Sequence, residues 1–460
     1  MKPRVRQITL EEWEVRYAEL KAAGLEEPFY GGPLGRHVRD GDLRLPNLRF
    51  DPSRQALRLW NFLLTEEERL YAARERGWTI VGTMKDLGTI PVMAYSLPKT
   101  LAFYPDGAWW IPCVMELSAG LLEAADALGV GESFCPVRAM LGAFLQDAHF
   151  PNPDLLTCSV GAVCDDFSAV AQRLNGLGFP VLWWEIPYRR KPDPGEEEVD
   201  LPGGLRAPRS QVEFVRGELE RVGEHLEEVS GEALTPARLA AGIRGANLVR
   251  RTMGEIRRMV FTAPVCPLPA LELLIAEMIV IHFCSDREEA AAVLSDLEGL
   301  VRERVEKGAG ILPEGAVRLF WVNPVADLRV MNLMEECGAR LCGTDFLFPH
   351  GLDPIDETLP PLEALARAAL ADPMVGPGRE RAERIAREAR NLGAEAVLVS
   401  RIPGASHCAR EGEVIARVVE ENPGLPVAEI EVPPLADALL PAIRNRLEAL
   451  VEAVLQRRRN

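Results

Sequence analysis

The feature that most constrains the fold is an alternation of short apolar runs with amphipathic segments, which occurs in two separate blocks of the chain. The first block has apolar runs at 78–81, 155–160 and 181–186, and the second extends from 317–322 to 427–432. Short apolar runs that alternate with helical periodicity are typical of parallel strands joined by helical crossovers. The sequence therefore predicts an α/β fold with two Rossmann-like parallel-sheet halves joined by a helical segment.

Composition divides the chain into four predicted parts. Residues 1–77 are rich in charged and aromatic residues and predict a helical N-terminal extension. Residues 78–190 and 311–460 are the two predicted Rossmann-like α/β domains, and 191–310 is predicted to be a linker followed by a helical segment. Proline and glutamate are concentrated at 188–210, which favours the linker. Ligands of such sheets bind beyond the carboxyl ends of the strands, so we expect a site in the cleft between the halves.

The charge balance narrows the choice of partners. Of the 460 residues, 52 are Lys or Arg and 69 are Asp or Glu, which gives a formal net charge of −17. A surface this acidic repels phosphate backbones and anionic lipids, so we expect neither nucleic acid nor membrane as a partner. The most apolar run, 271–284, contains charged residues and is shorter than the roughly 20 residues that a membrane span needs. The N-terminus has no apolar core, which predicts a cytoplasmic location.

The cysteines do not form a local metal-binding motif. There are nine, irregularly spaced, and the sequence contains no C-x-x-C. We expect a reducing compartment and no disulfide framework. Any metal site must therefore be assembled from distant parts of the chain.

Three cysteines differ from the rest because they precede predicted helices. Cys135 stands directly before Pro136, Cys164 follows the run 155–160, and Cys408 follows the run 396–400. We expect all three to lie in loops that lead from a strand into a helix, where the helix dipole lowers a thiol pKa and favours metal ligation. For the other cysteines, burial as small apolar side chains is the simpler interpretation: Cys113, Cys158, Cys266, Cys284, Cys337 and Cys342.

Several short motifs occur in an order that resembles a known family. They are Cys135-Pro-Val-Arg-Ala-Met-Leu-Gly, Pro153-Asp-Leu-Leu leading to Cys164-Asp, Arg318-Leu-Phe-Trp-Val-Asn-Pro, and His407-Cys408. From about residue 115 to the C-terminus, the chain resembles a subunit of the 2-hydroxyacyl-CoA dehydratase and benzoyl-CoA reductase family.

This resemblance implies a cofactor and a set of partners. It implies one 4Fe–4S cluster, held by Cys135, Cys164 and Cys408 in the cleft, with one iron left open. It further implies an ATP-hydrolysing iron–sulfur activator protein, an acyl-CoA substrate that is dehydrated or reduced, and dimerisation with a homologous second subunit or with itself. Ser133 and His407, each close to one of the cysteines, are candidate catalytic residues; loop capping for Ser133 and simple exposure for His407 are the alternatives.

Two other functions remain open on the sequence. One is a double-cubane 8Fe–9S reductase of small molecules, with extra thiolates drawn from Cys113, Cys158, Cys337 and Cys342. The other is a non-catalytic partner subunit of the same fold. The aromatic runs at 109–110 and 346–349 are expected at a subunit interface, because exposed aromatic clusters usually mark contacts.

Overall fold

The computed structural model describes residues 4–28, 30–39, 44–85, 88–107, 118–282, 285–406, 410–434 and 436–460. The N-terminal region is helical, as predicted. Its helices are α1 (Leu10–Ala22), α2 (Gly35–Arg39), α3 (Arg54–Leu64) and α4 (Glu66–Glu75). Thr9 caps α1 by accepting a hydrogen bond from the Glu12 N–H, while the Glu12 carboxylate accepts one from the Thr9 N–H.

The first half contains a four-stranded parallel sheet. Its strands are β1 (Thr79–Met84), β2 (Thr100–Phe103), β3 (Leu155–Gly161) and β4 (Val181–Ile186), in the order β2-β1-β3-β4. The connecting helices are α5 (Ile90–Tyr95), α6 (Ser118–Ala127), α7 (Ala139–Gln146) and α8 (Asp165–Gly176). A 3₁₀ turn at Pro136–Arg138 precedes α7.

The segment predicted as a linker contains a hairpin. Strands β5 (Glu198–Leu201) and β6 (Leu205–Pro208) pair antiparallel across a turn in which Gly203 and Gly204 have φ of 74° and 73°. Val199 and Leu201 alternate with exposed residues and point into the core. The linker interpretation was wrong here because the high proline and glutamate content masked a two-residue alternation. Helices α9 (Arg209–Ser230), α10 (Pro236–Thr262), α11 (Ala270–His282) and α12 (Arg287–Lys307) follow.

The second half repeats the topology of the first. Its parallel strands are β7 (Val317–Val322), β8 (Ala339–Asp345), β9 (Ala396–Arg401) and β10 (Val427–Glu431), in the order β10-β9-β7-β8. Its helices are α13 (Arg329–Glu336), α14 (Pro349–Leu352), α15 (Pro361–Leu370), α16 (Gly378–Asn391), α17 (Gly412–Glu421) and α18 (Leu440–Arg459). In both sheets the first strand in the chain lies between the second and the third. The predicted α/β fold with two Rossmann-like halves is thus confirmed, while the domain boundaries stay predictions.

In the part of the chain that the structure describes, no helix combines the length and the apolar character needed to cross a bilayer.

The N-terminal helices are joined to the body of the protein by a buried charged cluster. Arg304 of α12 forms an ion pair with Asp51, with Nη2 and Oδ1 2.9 Å apart. Glu272 of α11 accepts hydrogen bonds from the Asp51 N–H at 2.9 Å and from the Trp60 indole at 3.2 Å. Its second oxygen, Oε2, is buried without a hydrogen-bond partner among the described residues. Asp51 therefore has an arginine partner, whereas Glu272 accepts its hydrogen bonds from neutral donors.

Burial raises the pKa values of two carboxyl groups in and beside this cluster. Removal from water raises the pKa of Glu272 to about 7, and the neighbouring Asp51 adds to the shift. Burial likewise raises the pKa of Glu335 to about 8, although the Ala270 N–H donates to its carboxyl at 2.7 Å. Both groups favour the protonated form in the folded chain.

We predict that Glu272→Gln raises stability at about pH 8 more than at about pH 5. The folded chain keeps on Glu272 a proton that the unfolded chain, with an ordinary pKa of 4.5, releases. The stability that protonated Glu272 contributes is fully present below pH 4.5 and is lost as the pH rises through about 7. Because glutamine does not titrate, the gain in the free energy of unfolding from Glu272→Gln should grow by roughly 3 kcal/mol over this range. Urea unfolding at both pH values measures it, with the exposed Glu11→Gln as control. A gain that does not change with pH would contradict the assignment.

Candidate functional site

The equal strand order of the two sheets places their binding edges in equivalent positions. In an open parallel sheet, a crevice forms at the carboxyl ends of the two adjacent strands whose connections leave in opposite directions. In the first half these strands are β1 and β3, followed by Lys85 and by the loop that contains Cys164. In the second half they are β7 and β9, and the segment after β9 leads to Cys408.

Cys164 is the N-cap residue of α8 and is buried, with 9% of its surface exposed. The backbone N–H groups of Asp166 and Phe167 point at its sulfur and favour the thiolate. Burial outweighs them and raises the pKa of Cys164 to about 11. The expectation that the helix N-terminus lowers this pKa was therefore wrong for the protein without a metal, because the loss of hydration is the larger effect.

The loop after β9 reaches Cys164 through two contacts. Ser406 Oγ lies 3.9 Å from Cys164 Sγ, and the Ser406 N–H donates to Asp166 Oδ2 at 2.8 Å. The same Asp166 oxygen lies 3.7 Å from Cys164 Sγ. The buried Asp166 carboxylate thus links the first turn of α8 to a loop of the other half, 240 residues away.

A second contact joins the same loop to the segment that carries Cys135. Gly404 has φ of +79°, and a Cβ added to it would lie 2.6 Å from the backbone carbon and oxygen of Phe134. Cys135 is the N-cap residue of the 3₁₀ turn Pro136–Arg138, which packs against α8. The loop at 402–406 therefore touches both cysteine-bearing segments of the first half.

The position of Cys135 differs from the prediction in one respect. The loop that contains it runs from α6 to the 3₁₀ turn before α7, so it connects two helices rather than a strand and a helix. The sequence pattern was misleading because the proline after Cys135 marks a helix start regardless of what precedes it. The side chain is half-buried.

The remaining predicted site residues are only partly described. Ser133 lies exposed in the loop before Cys135. His407 and Cys408 lie outside the described residues, directly after Ser406. Among the described residues no group of three potential metal ligands is complete. Ser406 was singled out from the sequence as a possible hydrogen-bond donor to a cluster or a substrate, whereas Asp166 was not identified, although it lies two residues after a predicted ligand.

The other described cysteines are placed for packing. Cys158 is fully buried in β3, where burial raises its pKa to about 12. Cys342 is fully buried in β8, within an apolar cluster that includes Phe320 and Ile385. Cys266 is buried and its Sγ lies 3.4 Å from the Leu268 carbonyl oxygen, while Cys337 is half-buried at the end of α13. Cys113 and Cys284 lie outside the described residues.

One aromatic run expected at an interface is internal. Phe346 and Phe348 are 2% and 7% exposed, and the Phe346 ring lies 6.3 Å from that of Trp321. That expectation was wrong because these residues follow β8 into the core instead of lying on the surface. Trp109 and Trp110 lie outside the described residues.

Two α/β halves of equal topology, with the loop at 402–406 of the second half in contact with both cysteine-bearing segments of the first, are the features that the structure gives to the class of protein. Residues 100–454 match the family described as 2-hydroxyglutaryl-CoA dehydratase, D-component. The match covers most of the chain, and the chain belongs to this family of 2-hydroxyacyl-CoA dehydratase-type components. A D-component implies a partner component. No curated protein matches the chain.

We predict that Gly404→Ala destabilises the protein more than Gly129→Ala does. The two glycines have φ of +79° and +81°, so a side chain strains both backbones alike, but only at Gly404 does the new Cβ meet another segment. The extra cost should be roughly 1–3 kcal/mol, as for other overpacked sites. Urea unfolding of both variants measures the difference. Equal losses would show that the contact with Phe134 contributes nothing.

Proposed function

We propose that this chain is the iron–sulfur catalytic subunit of a low-potential dehydratase or reductase that acts on an acyl-CoA thioester and depends on an ATP-hydrolysing activator. The observation that carries the proposal is the contact of the loop at 402–406 with both Cys164 and the backbone next to Cys135. Membership of a dehydratase family supports the reaction class.

The residues at this contact fit a cluster. Cys135 and Cys164 are the N-cap residues of two elements that pack together, and Cys408 follows Ser406 by two residues. The two N–H groups directed at Cys164 Sγ would stabilise a ligating thiolate, whereas the high pKa of the metal-free thiol leaves it protonated. Proton release on metal binding is the expected consequence. These three cysteines are the proposed ligands of a 4Fe–4S cluster.

Such a cluster, when bound by three thiolates, supplies single electrons of low potential and leaves one iron without a protein ligand. The chain's own residues would set its surroundings. Asp166 holds the loop of the second half in place, and the burial of Cys164 keeps water away from the sulfur. The Lys85 ammonium, which is buried after β1, adds a positive charge on the same sheet edge as Cys164. A buried site with directed hydrogen bonds is the environment that tunes a cluster potential.

The proposed partners follow from this role. An ATP-hydrolysing iron–sulfur activator would deliver the electrons. This chain would form a dimer with a homologous second subunit or with a second copy of itself. The substrate would be a 2-hydroxyacyl-CoA or an aromatic acyl-CoA.

We predict that Cys135→Ser, Cys164→Ser and Cys408→Ser each remove most of the iron from anaerobically purified protein. The matched control is Cys266→Ser, in which a hydroxyl can keep the contact with the Leu268 carbonyl. Iron and sulfide analysis measures the effect, and about four irons per protomer are expected for one cluster. About eight would support the double-cubane alternative. Full iron content in all three variants would contradict the proposed ligand set.

A further inference from the structure

Lys85 lies directly after β1, at the crevice edge of the first sheet, and is buried, with 5% of its surface exposed. Its Nζ donates a hydrogen bond to Ser168 Oγ at 3.1 Å. Ser168 lies one turn into α8, the helix whose N-cap residue is Cys164. The Lys85 ammonium is therefore held beside the first turns of the helix that carries a proposed ligand.

The charge of Lys85 is coupled to the Cys164 thiol. In the part of the chain that the structure describes, no carboxylate forms a direct ion pair with this ammonium. Burial lowers the pKa of Lys85, and four nearby groups act in the opposite direction: Cys158, Cys164, Asp165 and Asp372. Burial is also the largest influence on the pKa of Cys164, and Lys85 opposes it by favouring the thiolate. A negative charge at Cys164 would therefore stabilise the buried ammonium.

The backbone of Lys85 is in a left-handed conformation. Its φ is 67°, which is uncommon for a residue other than glycine. The buried Ser159 hydroxyl of β3 donates to the Lys85 carbonyl at 3.2 Å and holds this conformation. Strained conformations that the surrounding structure enforces are concentrated at functional sites.

The second half has the same backbone arrangement with a different side chain. Asn323 follows β7 with φ of 66°, and the Ser400 hydroxyl of β9 donates to its carbonyl at 2.8 Å. The Asn323 side chain is used within its own half, because its Nδ2 donates to the Ser400 carbonyl at 3.0 Å and its Oδ1 accepts from Arg381 at 2.8 Å. This backbone does not require a lysine. Of the two equivalent positions, the one beside Cys164 carries the cation.

We propose that Lys85 sets the reduction potential of the cluster proposed at Cys164 by holding a fixed positive charge beside it; this inference rests on the proposed function, since it needs the cluster. Uptake of one electron from the donor makes the cluster one charge more negative and breaks no bond. A nearby cation stabilises the reduced form more than the oxidised form, so it raises the potential. Burial strengthens this effect, because a buried charge is screened less. Lys85 thereby keeps a cluster of low potential reducible by its donor.

The test is a potentiometric titration of the cluster in anaerobically purified full-length protein, with titanium(III) citrate as reductant and EPR to quantify the reduced cluster. Lys85→Met removes the charge and nearly keeps the volume of the side chain. At the wild-type midpoint potential, this variant should lower the ratio of reduced to oxidised cluster at least about tenfold, which moves the midpoint about 59 mV downward for one electron. Lys85→Asn suits the left-handed backbone and decides the question if Lys85→Met does not fold.

The matched control is the same pair of substitutions at Lys99. Lys99 is also left-handed, with φ of 51°, but it is exposed and precedes β2, at the amino ends of the strands and opposite the crevice. Its loss changes the net charge of the protein by the same amount, and the midpoint should stay within the error of the titration. A shift as large as that of the Lys85 variant would overturn the proposal, because the effect would then come from overall charge.

The direction of the shift separates charge from packing. If the substitution merely loosened the site, entering water would stabilise the more highly charged reduced cluster and move the midpoint upward. An unchanged or higher midpoint in Lys85→Met, or in Lys85→Asn where that variant must decide, overturns the proposal. Iron analysis of the wild type keeps the two proposals apart. Wild type without a cluster would overturn the proposed function and this inference together, whereas a cluster whose midpoint does not depend on Lys85 overturns the inference alone.

Discussion

The hydrogen bond from the Ser406 N–H to the buried Asp166 carboxylate fixes the two halves of the protein against each other at their binding edges. It brings the loop after β9 to within 3.9 Å of the Cys164 sulfur, and Gly404 of the same loop lies against the Phe134 backbone. The second contact is close, because a Cβ added to Gly404 would lie 2.6 Å from the Phe134 backbone. The geometry of the candidate site follows from these contacts.

The repeated strand order explains why these segments face each other. Each sheet has its crevice where the connections from adjacent strands diverge, and each crevice carries one of the segments in contact. Near this contact, Lys85 is buried after β1, and its Nζ donates to Ser168 Oγ of α8 at 3.1 Å. The N-terminal helices are joined to the body on another side, through Asp51, Arg304 and Glu272. Polar groups buried at such cost mark the places where segments distant in sequence must meet.

Sequence reasoning predicted the strands best where burial is continuous. The apolar run at 181–186 coincides with β4, and the run at 317–322 coincides with β7. It missed β2, which has only four residues, and the hairpin in the proline-rich segment, because short edge elements carry little periodic signal. It selected Cys164 but not Asp166, since a pairing across 240 residues depends on topology that local pattern does not contain. The sign of the Cys164 pKa shift depends on burial, which only the folded structure provides.

The central claim is that Cys135, Cys164 and Cys408 hold one iron–sulfur cluster where the loops of the two halves meet. The most direct measurement is anomalous diffraction at the iron edge from crystals of anaerobically prepared protein. The account predicts one compact iron peak within bonding distance of all three cysteine sulfurs, beside the Asp166–Ser406 contact. An iron peak elsewhere in the molecule would contradict it. Three well-ordered cysteine sulfurs in separate surroundings, with no iron among them, would contradict it as well.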